Sequence, residues 1–286
     1  MASVDPFKRF EGLEPRPSRL VLGRFHRDRL SLRGFSLEAR LHAKALLRGK
    51  GARQKFLVIG RARSGTTLLE NLLNQVPGVE CGGELWHYAV ANPGRLLDAF
   101  ARKSDADAAG ARILAYQVIH VQKIADPIRF FEKLHKEGVS MIHLTRDSFA
   151  QTLSIDIAQA TRRYHDRMDG AGPAGAAARS KGAHRLDPTS FIRKLQWSEA
   201  TLEFERDCLS TVPHLSLTYE EGLLDPARHQ ATVDRVCDWL NVATGPVSAG
   251  LRKVLSRSFA ENVVNSEEIL TAMDAAGLSH LKPAEA

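Results

Sequence analysis

Long apolar runs are missing from this 286-residue chain. No stretch nears the ~18–20 apolar residues that a bilayer-spanning helix requires. The opening MASVDPFKRFEGLEPRPSRL has no apolar core followed by a small-residue cleavage site, so it does not read as a secretory signal. Cysteine is scarce as well. Cys81, Cys208 and Cys237 are too few and too scattered for a disulfide framework or a cysteine-held metal. The expectation is a cytoplasmic protein in a reducing compartment. With 43% hydrophobic and 26% charged residues, wholesale disorder is excluded. The length allows one large α/β domain or two small ones.

The net charge of +7 is unevenly placed. Residues 16–55 hold twelve Lys/Arg against two Asp/Glu, a local +10, whereas the flanking stretches are slightly acidic. A basic arm of this kind suits an anionic membrane surface or nucleic acid. It lacks interleaved aromatics for base stacking, so no nucleic-acid partner is expected. Its apolar positions (Leu30, Leu32, Phe35, Leu37, Leu41, Ala45, Leu46) suit docking on the rest of the protein equally well.

Beyond the arm, strands alternate with helices. Lys55–Ile59 is a continuous apolar run ending at Gly60, as in a buried parallel strand. Thr66–Gln75 has helical spacing. Asn92-Pro93 and Asp126-Pro127 each pair an N-cap with proline at the first helical position. Further strands are expected over Arg112–Val118, Val139–Thr145 and Leu215–Tyr219, with helices from Asp147 to about His165 and from Asp225-Pro226 to Leu240. This alternation predicts an α/β fold: a single P-loop-type domain over 55–286, a mostly parallel, doubly wound sheet flanked by helices, preceded by an arm over 1–54. The Gly- and Ala-rich stretch Asp169–Pro188 reads either as a mobile lid or as a plain insertion.

The sharpest motif is Gly60-Arg-Ala-Arg-Ser-Gly-Thr-Thr67, lying between the first strand and its helix. Backbone amides of such a loop, together with the helix N-terminus, cradle an anion. The spacing is that of a P-loop, except that Thr66 stands where the lysine belongs. That lysine clamps the β- and γ-phosphates in nucleotide hydrolysis, so its loss argues against phosphoryl transfer. Arg61 and Arg63 supply charge on the loop instead, which suits an anion held without a metal.

The segment RARSGTTLLENLLNQVPGVECGGE resembles the 5′-phosphosulfate loop and following helix of sulfotransferases that use 3′-phosphoadenosine 5′-phosphosulfate (PAPS). It is most similar to the tyrosylprotein, carbohydrate and bacterial nodulation-factor branches. The resemblance implies that Arg61, Arg63, Ser64, Gly65, Thr66 and Thr67 hold the 5′-phosphosulfate. It also implies that Arg146 and Ser154, at the family's eight-residue spacing in HLTRDSFAQTLS, hold the 3′-phosphate. Thr218-Tyr219-Glu220-Glu221 is similar to a family segment whose tyrosine lies near the nucleotide; Tyr219 reads equally as a packed strand-end aromatic. The stretch from Lys253 to Asn265 resembles a segment that folds over the cofactor, with Lys253 or Ser256 as contacts, or else it is a surface helix. In all, the likeness covers 55–90, 112–155 and 213–270.

Transfer to a hydroxyl needs a base for the acceptor proton. The resemblance assigns this to Glu84 in Cys81-Gly-Gly-Glu84; the plainer alternative is a loop carboxylate pairing with Arg61 or Arg63. His120, near the end of the second expected strand, is the rival base. Many relatives carry a lysine where this chain has Gln117, which brings hydrogen-bond donors but no charge; Arg63 and Lys123 are the remaining cations for that role. The reading is therefore a PAPS-dependent sulfotransferase, releasing PAP and using no metal, with a carbohydrate, glycolipid or small-molecule acceptor. An atypical P-loop kinase or NTPase and a non-catalytic nucleotide-binding module are the alternatives.

Overall fold

The computed structural model describes residues 7–13, 32–47, 51–161, 166–167, 183–248, 251–252 and 258–283. Residues 16–31 and 48–50 of the basic arm, residues 169–182 of the Gly-rich segment, Lys253 and Ser256 lie outside the described residues. The chain divides into two compact units, one of residues 16–145 and 201–248, the other of residues 1–15, 146–200 and 249–286.

The larger unit is built on a five-stranded parallel sheet of β1 (Gln54–Gly60), β2 (Val79–Glu84), β3 (Ala108–Leu114), β4 (Val139–Thr145) and β6 (His214–Thr218). The spatial order is β2-β3-β1-β4-β6, so β1 is central. β1 pairs with β3 on one side and β4 on the other, with Gly60 opposite both Leu114 and Leu144. β1 is buried on both sides, which is why its sequence runs apolar without alternation. Phe56 and Val58 face one helical layer, where they join Leu69, Leu72 and Leu73 of α2 (Thr66–Leu73) and Val233, Val236, Cys237 and Leu240 of α8 (His229–Leu240). By strand alternation Leu57 and Ile59 face the other side, where α3 (Pro93–Lys103) and α4 (Pro127–Lys136) pack. Gly110 of β3 has no room for a side chain: a Cβ there would lie 2.2 Å from the Phe56 carbonyl oxygen.

Helix α1 (Leu32–Leu47) packs against α3. Its inner line is Gly34, Glu38 and Leu41, and the Glu38 carboxylate accepts hydrogen bonds from the amides of Ala91 and Asn92 at 3.0 and 3.2 Å. Among the apolar arm positions, Leu41 is buried, whereas Leu32, Phe35 and Leu46 are exposed.

The smaller unit includes α5 (Ser148–Thr161), the first part of α6 (Pro188–Leu209), the short pair β5 (Asp166–Arg167) and β7 (Leu251–Arg252), and α10 (Ser266–Ala275). The remaining short helices are α7 (Tyr219–Gly222), in the larger unit, and α9 (Phe259–Asn262), in the smaller. The smaller unit's core comprises Phe149, Leu153, Ile157, Phe191, Leu195, Val263, Ile269 and Met273.

Two sequence expectations need correction. The strand placed at Arg112–Val118 lies at Ala108–Leu114, and Gln117–Val121 coils into a π-helical turn. Gln117 drives the change, its side-chain oxygen accepting the Leu114 amide at 3.1 Å where a continuing strand would need a neighbour. The helix expected from Asp225-Pro226 begins as a 3₁₀ turn over Pro226–Arg228, and α8 proper starts at His229. None of the three cysteines is in a disulfide, and all three are buried.

Candidate active site

The carboxyl ends of parallel strands collect functional groups in open α/β sheets, because the loops there are free to vary while the strands fix their roots. Here those ends carry Gly60, Glu84, Leu114, Thr145 and Thr218.

The loop after β1 has the geometry of an anion cradle. Arg63 takes a left-handed backbone with φ 66°, and Gly65 caps α2 with φ 97°. A non-glycine residue held at positive φ is strained, a state that persists only where its surroundings enforce it. Ser64 is fully buried and its hydroxyl donates to the Arg61 carbonyl at 2.7 Å, closing the turn. No side chain caps α2, so the amides of its first turn remain open to an anion in the loop. Arg61 and Thr66 are each 3% exposed, and Thr66 is therefore a packed residue rather than a substitute for the missing lysine cation.

Tyr219 stands against this loop. A Cβ on Gly65 would fall 2.6 Å from the Tyr219 ring and 3.2 Å from Leu223. Position 65 thus excludes a side chain twice, by its backbone angle and by its neighbour.

Glu84 ends β2, next to an irregularity in the pairing with β3 that places it opposite Arg112. Both carboxylate oxygens are engaged. Oε1 accepts from Arg112 Nη1 at 2.9 Å, and Oε2 accepts from Gln117 Nε2 at 2.8 Å. The Tyr116 hydroxyl and His87 Nδ1 each lie 3.4 Å from Oε2. Burial pushes the Glu84 carboxyl up, but the hydrogen bonds and charges of His87 and Arg112 outweigh it and hold the group below the usual carboxylate range. For Tyr116, burial and the nearby Glu84 charge push the phenol well above its ordinary value.

Arg112 also bonds through Nε to Glu70, on the second turn of α2. One guanidinium therefore ties the helix that follows the anion loop to the strand that carries Glu84. Sequence reasoning missed Arg112 and Glu70, since their partners are 42 and 28 residues apart and no local pattern marks them. The expected pairing of Glu84 with Arg61 or Arg63 is replaced by Arg112. Gln117 is fully buried, and its amide is already committed to Glu84 and the Leu114 backbone. His120 is exposed on the π turn.

In the smaller unit, Arg146 directly follows β4 in the chain, and Ser154 is buried at 4% exposure on α5. Asp147 starts that helix by accepting the Ala150 amide at 2.7 Å. On the same helix, Asp156 is paired with Lys194, though burial prevails and leaves its carboxyl raised. Among the described residues, no helix is long and apolar enough to cross a membrane, and no group of three or more His, Cys, Asp or Glu is placed to hold a metal ion.

Residues 55–169 match the model of the sulfotransferase family. Among solved structures, a sulfotransferase from Alicyclobacillus acidocaldarius aligns at 16% identity and a TM-score of 0.48, over 82% of this chain and 98% of that one. Mouse sulfotransferase SULT7A1, complexed with PAP, aligns at 9% identity and a TM-score of 0.40, over 74% of this chain and 66% of its own. No curated protein sequence matches. Residues 55–169, the stretch similar to that family, carry the loop after β1, Glu84, Arg112 and Arg146.

Proposed function

We propose that the chain transfers a sulfuryl group from PAPS to a hydroxyl, or an amine, of a carbohydrate, glycolipid or small-molecule acceptor, with Glu84 as general base. The observation that supports this reading most directly is the Arg112 bridge, which fixes an ionised, oriented carboxylate relative to the helix behind the anion loop. The loop fits a 5′-phosphosulfate on two grounds: its open first-turn amides, and the glycine and strained arginine that shape it.

PAPS supplies the sulfuryl group when bound. Arg61, Arg63, Ser64, Gly65, Thr66 and Thr67 hold its 5′ end, Arg146 and Ser154 its 3′-phosphate, and Tyr219 lies beside the loop. Lys253 remains a candidate contact on resemblance alone. The acceptor oxygen gives its proton to Glu84 as it bonds to sulfur. The bond from sulfur to the 5′-phosphate breaks in line, and its electron pair leaves with PAP. Developing charge on the leaving phosphate falls among the loop amides and Arg63. The depressed pKa of Glu84 means that the base is ready ionised at neutral pH.

Calorimetric titration with PAP, alongside ATP with Mg²⁺, tests the donor. Metal-free micromolar-range PAP binding that is lost in Arg146→Ala supports the reading. Mg²⁺-dependent ATP binding without PAP binding would replace it with a phosphoryl-transfer enzyme. PAP binding with no transfer to any acceptor class would leave a nucleotide-binding module.

A further inference from the structure

Helix α1 presents an apolar face to the outside. Its inner line is spent on α3 through Gly34, Glu38 and Leu41. At 100° per residue the opposite line holds Leu32, Phe35, Ala39, Ala43, Leu46 and Leu47. Leu32 is 90% exposed, Phe35 64%, Leu46 88% and Leu47 85%. A helix that needed only to cover the domain would carry charged residues along this line, so the face lacks a partner among the described residues.

The chemistry beside the face says what covers it. Arg33, Arg40 and Lys44 recur at i, i+7 and i+11, which sets all three along one edge of the apolar stripe. They are exposed and make no ion pair with any described residue. The helix has one acid, Glu38, and it is buried against the Ala91 and Asn92 amides, so no anion of the helix itself offsets these cations on the outer side. Along that edge runs an open groove of about 440 Å³, lined by Leu32, Arg33, Ser36, Leu37, Arg40 and Tyr88. The flanking sequence adds to the positive field, since residues 16–55 sum to +10. A second copy of this chain would bring the same charge against itself, which opposes self-association through this face.

We infer that the outer face of α1 lies on an anionic phospholipid surface, with Leu32, Phe35, Leu46 and Leu47 in the headgroup–acyl boundary and Arg33 and Arg40 over lipid phosphates at the groove. This is the arrangement of an interfacial helix, in which apolar burial and cationic attraction act together. At 16 residues the helix is about 24 Å long, enough to lie along the surface. The inference stands independently of the reaction assigned to Glu84.

Flotation of the full chain reads it directly, using phosphatidylcholine vesicles with about 30% phosphatidylserine against pure phosphatidylcholine. The chain floats with the anionic vesicles, and the bound fraction drops about tenfold on neutral vesicles or at about 0.5 M salt. The paired change Phe35→Asp with Leu47→Asp abolishes flotation, as does Arg33→Glu with Arg40→Glu, while the melting temperature and circular dichroism stay unchanged. Soluble glycerophosphoserine, the same headgroup without acyl chains, does not compete. No flotation, equal flotation on neutral vesicles, or flotation that survives Phe35→Asp with Leu47→Asp overturns the inference. So does a dimer that the aspartate pair dissociates in the absence of vesicle binding, which would make the face a self-contact.

Discussion

Arg112 holds Glu84 at 2.9 Å through one nitrogen and Glu70 through another, from a side chain only 14% exposed. One guanidinium serves two carboxylates, and of the two Glu84 also has a second potential cation beside it, His87 at 3.4 Å. The behaviour of the candidate base follows from that dependence.

Replacing Glu84 with Gln keeps the shape and a hydrogen-bond acceptor for Arg112 but removes the proton acceptor. Turnover should fall about 10²–10⁴-fold, the usual worth of a general base. PAP affinity by calorimetry should stay within a factor of a few. Wild-type-like turnover in this variant would remove Glu84 from the mechanism.

Substituting Arg112 with Ala should move the acidic limb of the pH–rate profile upward. In the wild type, burial raises the Glu84 carboxyl while His87 and Arg112 lower it further than burial lifts it. Without Arg112 its lowering contribution is lost while that of His87 remains, so protonation sets in at higher pH than in the wild type. The same sign governs stability. A depressed folded pKa contributes stability above the unfolded carboxyl value of about 4.3, and that contribution is lost as pH falls through the folded value. Acid unfolding of the Arg112→Ala protein should be less steep in this window, beside an overall loss of about 1–3 kcal/mol for the stranded carboxylates. An unmoved acidic limb would show that Glu84 is not the titrating base.

Gly65→Ala should cost both stability and PAP binding. The left-handed backbone alone costs about 1–2 kcal/mol for a residue with a Cβ. At φ 97° and 2.6 Å from the Tyr219 ring, the new methyl group adds a clash. Tyr219→Ala placed on top should recover the steric part and leave the backbone part, so the double variant lies between Gly65→Ala and wild type in thermal denaturation, once corrected for Tyr219→Ala alone.

The larger unit also contains a buried pair away from the site. His143 Nε2 lies 3.0 Å from Glu205 Oε2, the two side chains being 5% and 1% exposed, and Glu205 Oε1 has no hydrogen-bond partner among the described residues. His143→Ala would leave the buried Glu205 side chain without its hydrogen-bond partner, with an expected loss of about 1–3 kcal/mol in urea unfolding. His143→Ala with Glu205→Leu should recover much of that loss, which a simple cavity effect at position 143 would not allow.

The anion loop and its flanking elements were legible because their signals are local: a continuous apolar strand, fixed glycine spacing, then a helical repeat. The caps at Asn92-Pro93 and Asp126-Pro127 were legible for the same reason, and each Asx side chain accepts the amide three residues on. The third strand was placed four residues late because apolar residues continue past Leu114, and only the Gln117 side chain ends the ladder there. Arg112 and Glu70 were invisible because sheet order, not sequence spacing, brings them to Glu84. Helix α6 went unread, since its long polar and apolar mixture lacks a single clean face.

The three buried thiols give the molecule a built-in clock. Cys81 sits in β2, three residues before Glu84, and burial pushes its thiol far above the ordinary range; Cys237, on α8, is raised by burial too. A thiolate is the reactive form, so alkylating reagents wait until each element opens. The rate at which Cys81 is labelled, compared with Cys237 and with Cys208 on α6, times the opening of the strand that carries the candidate base against that of the two helices, without any probe being added to the chain.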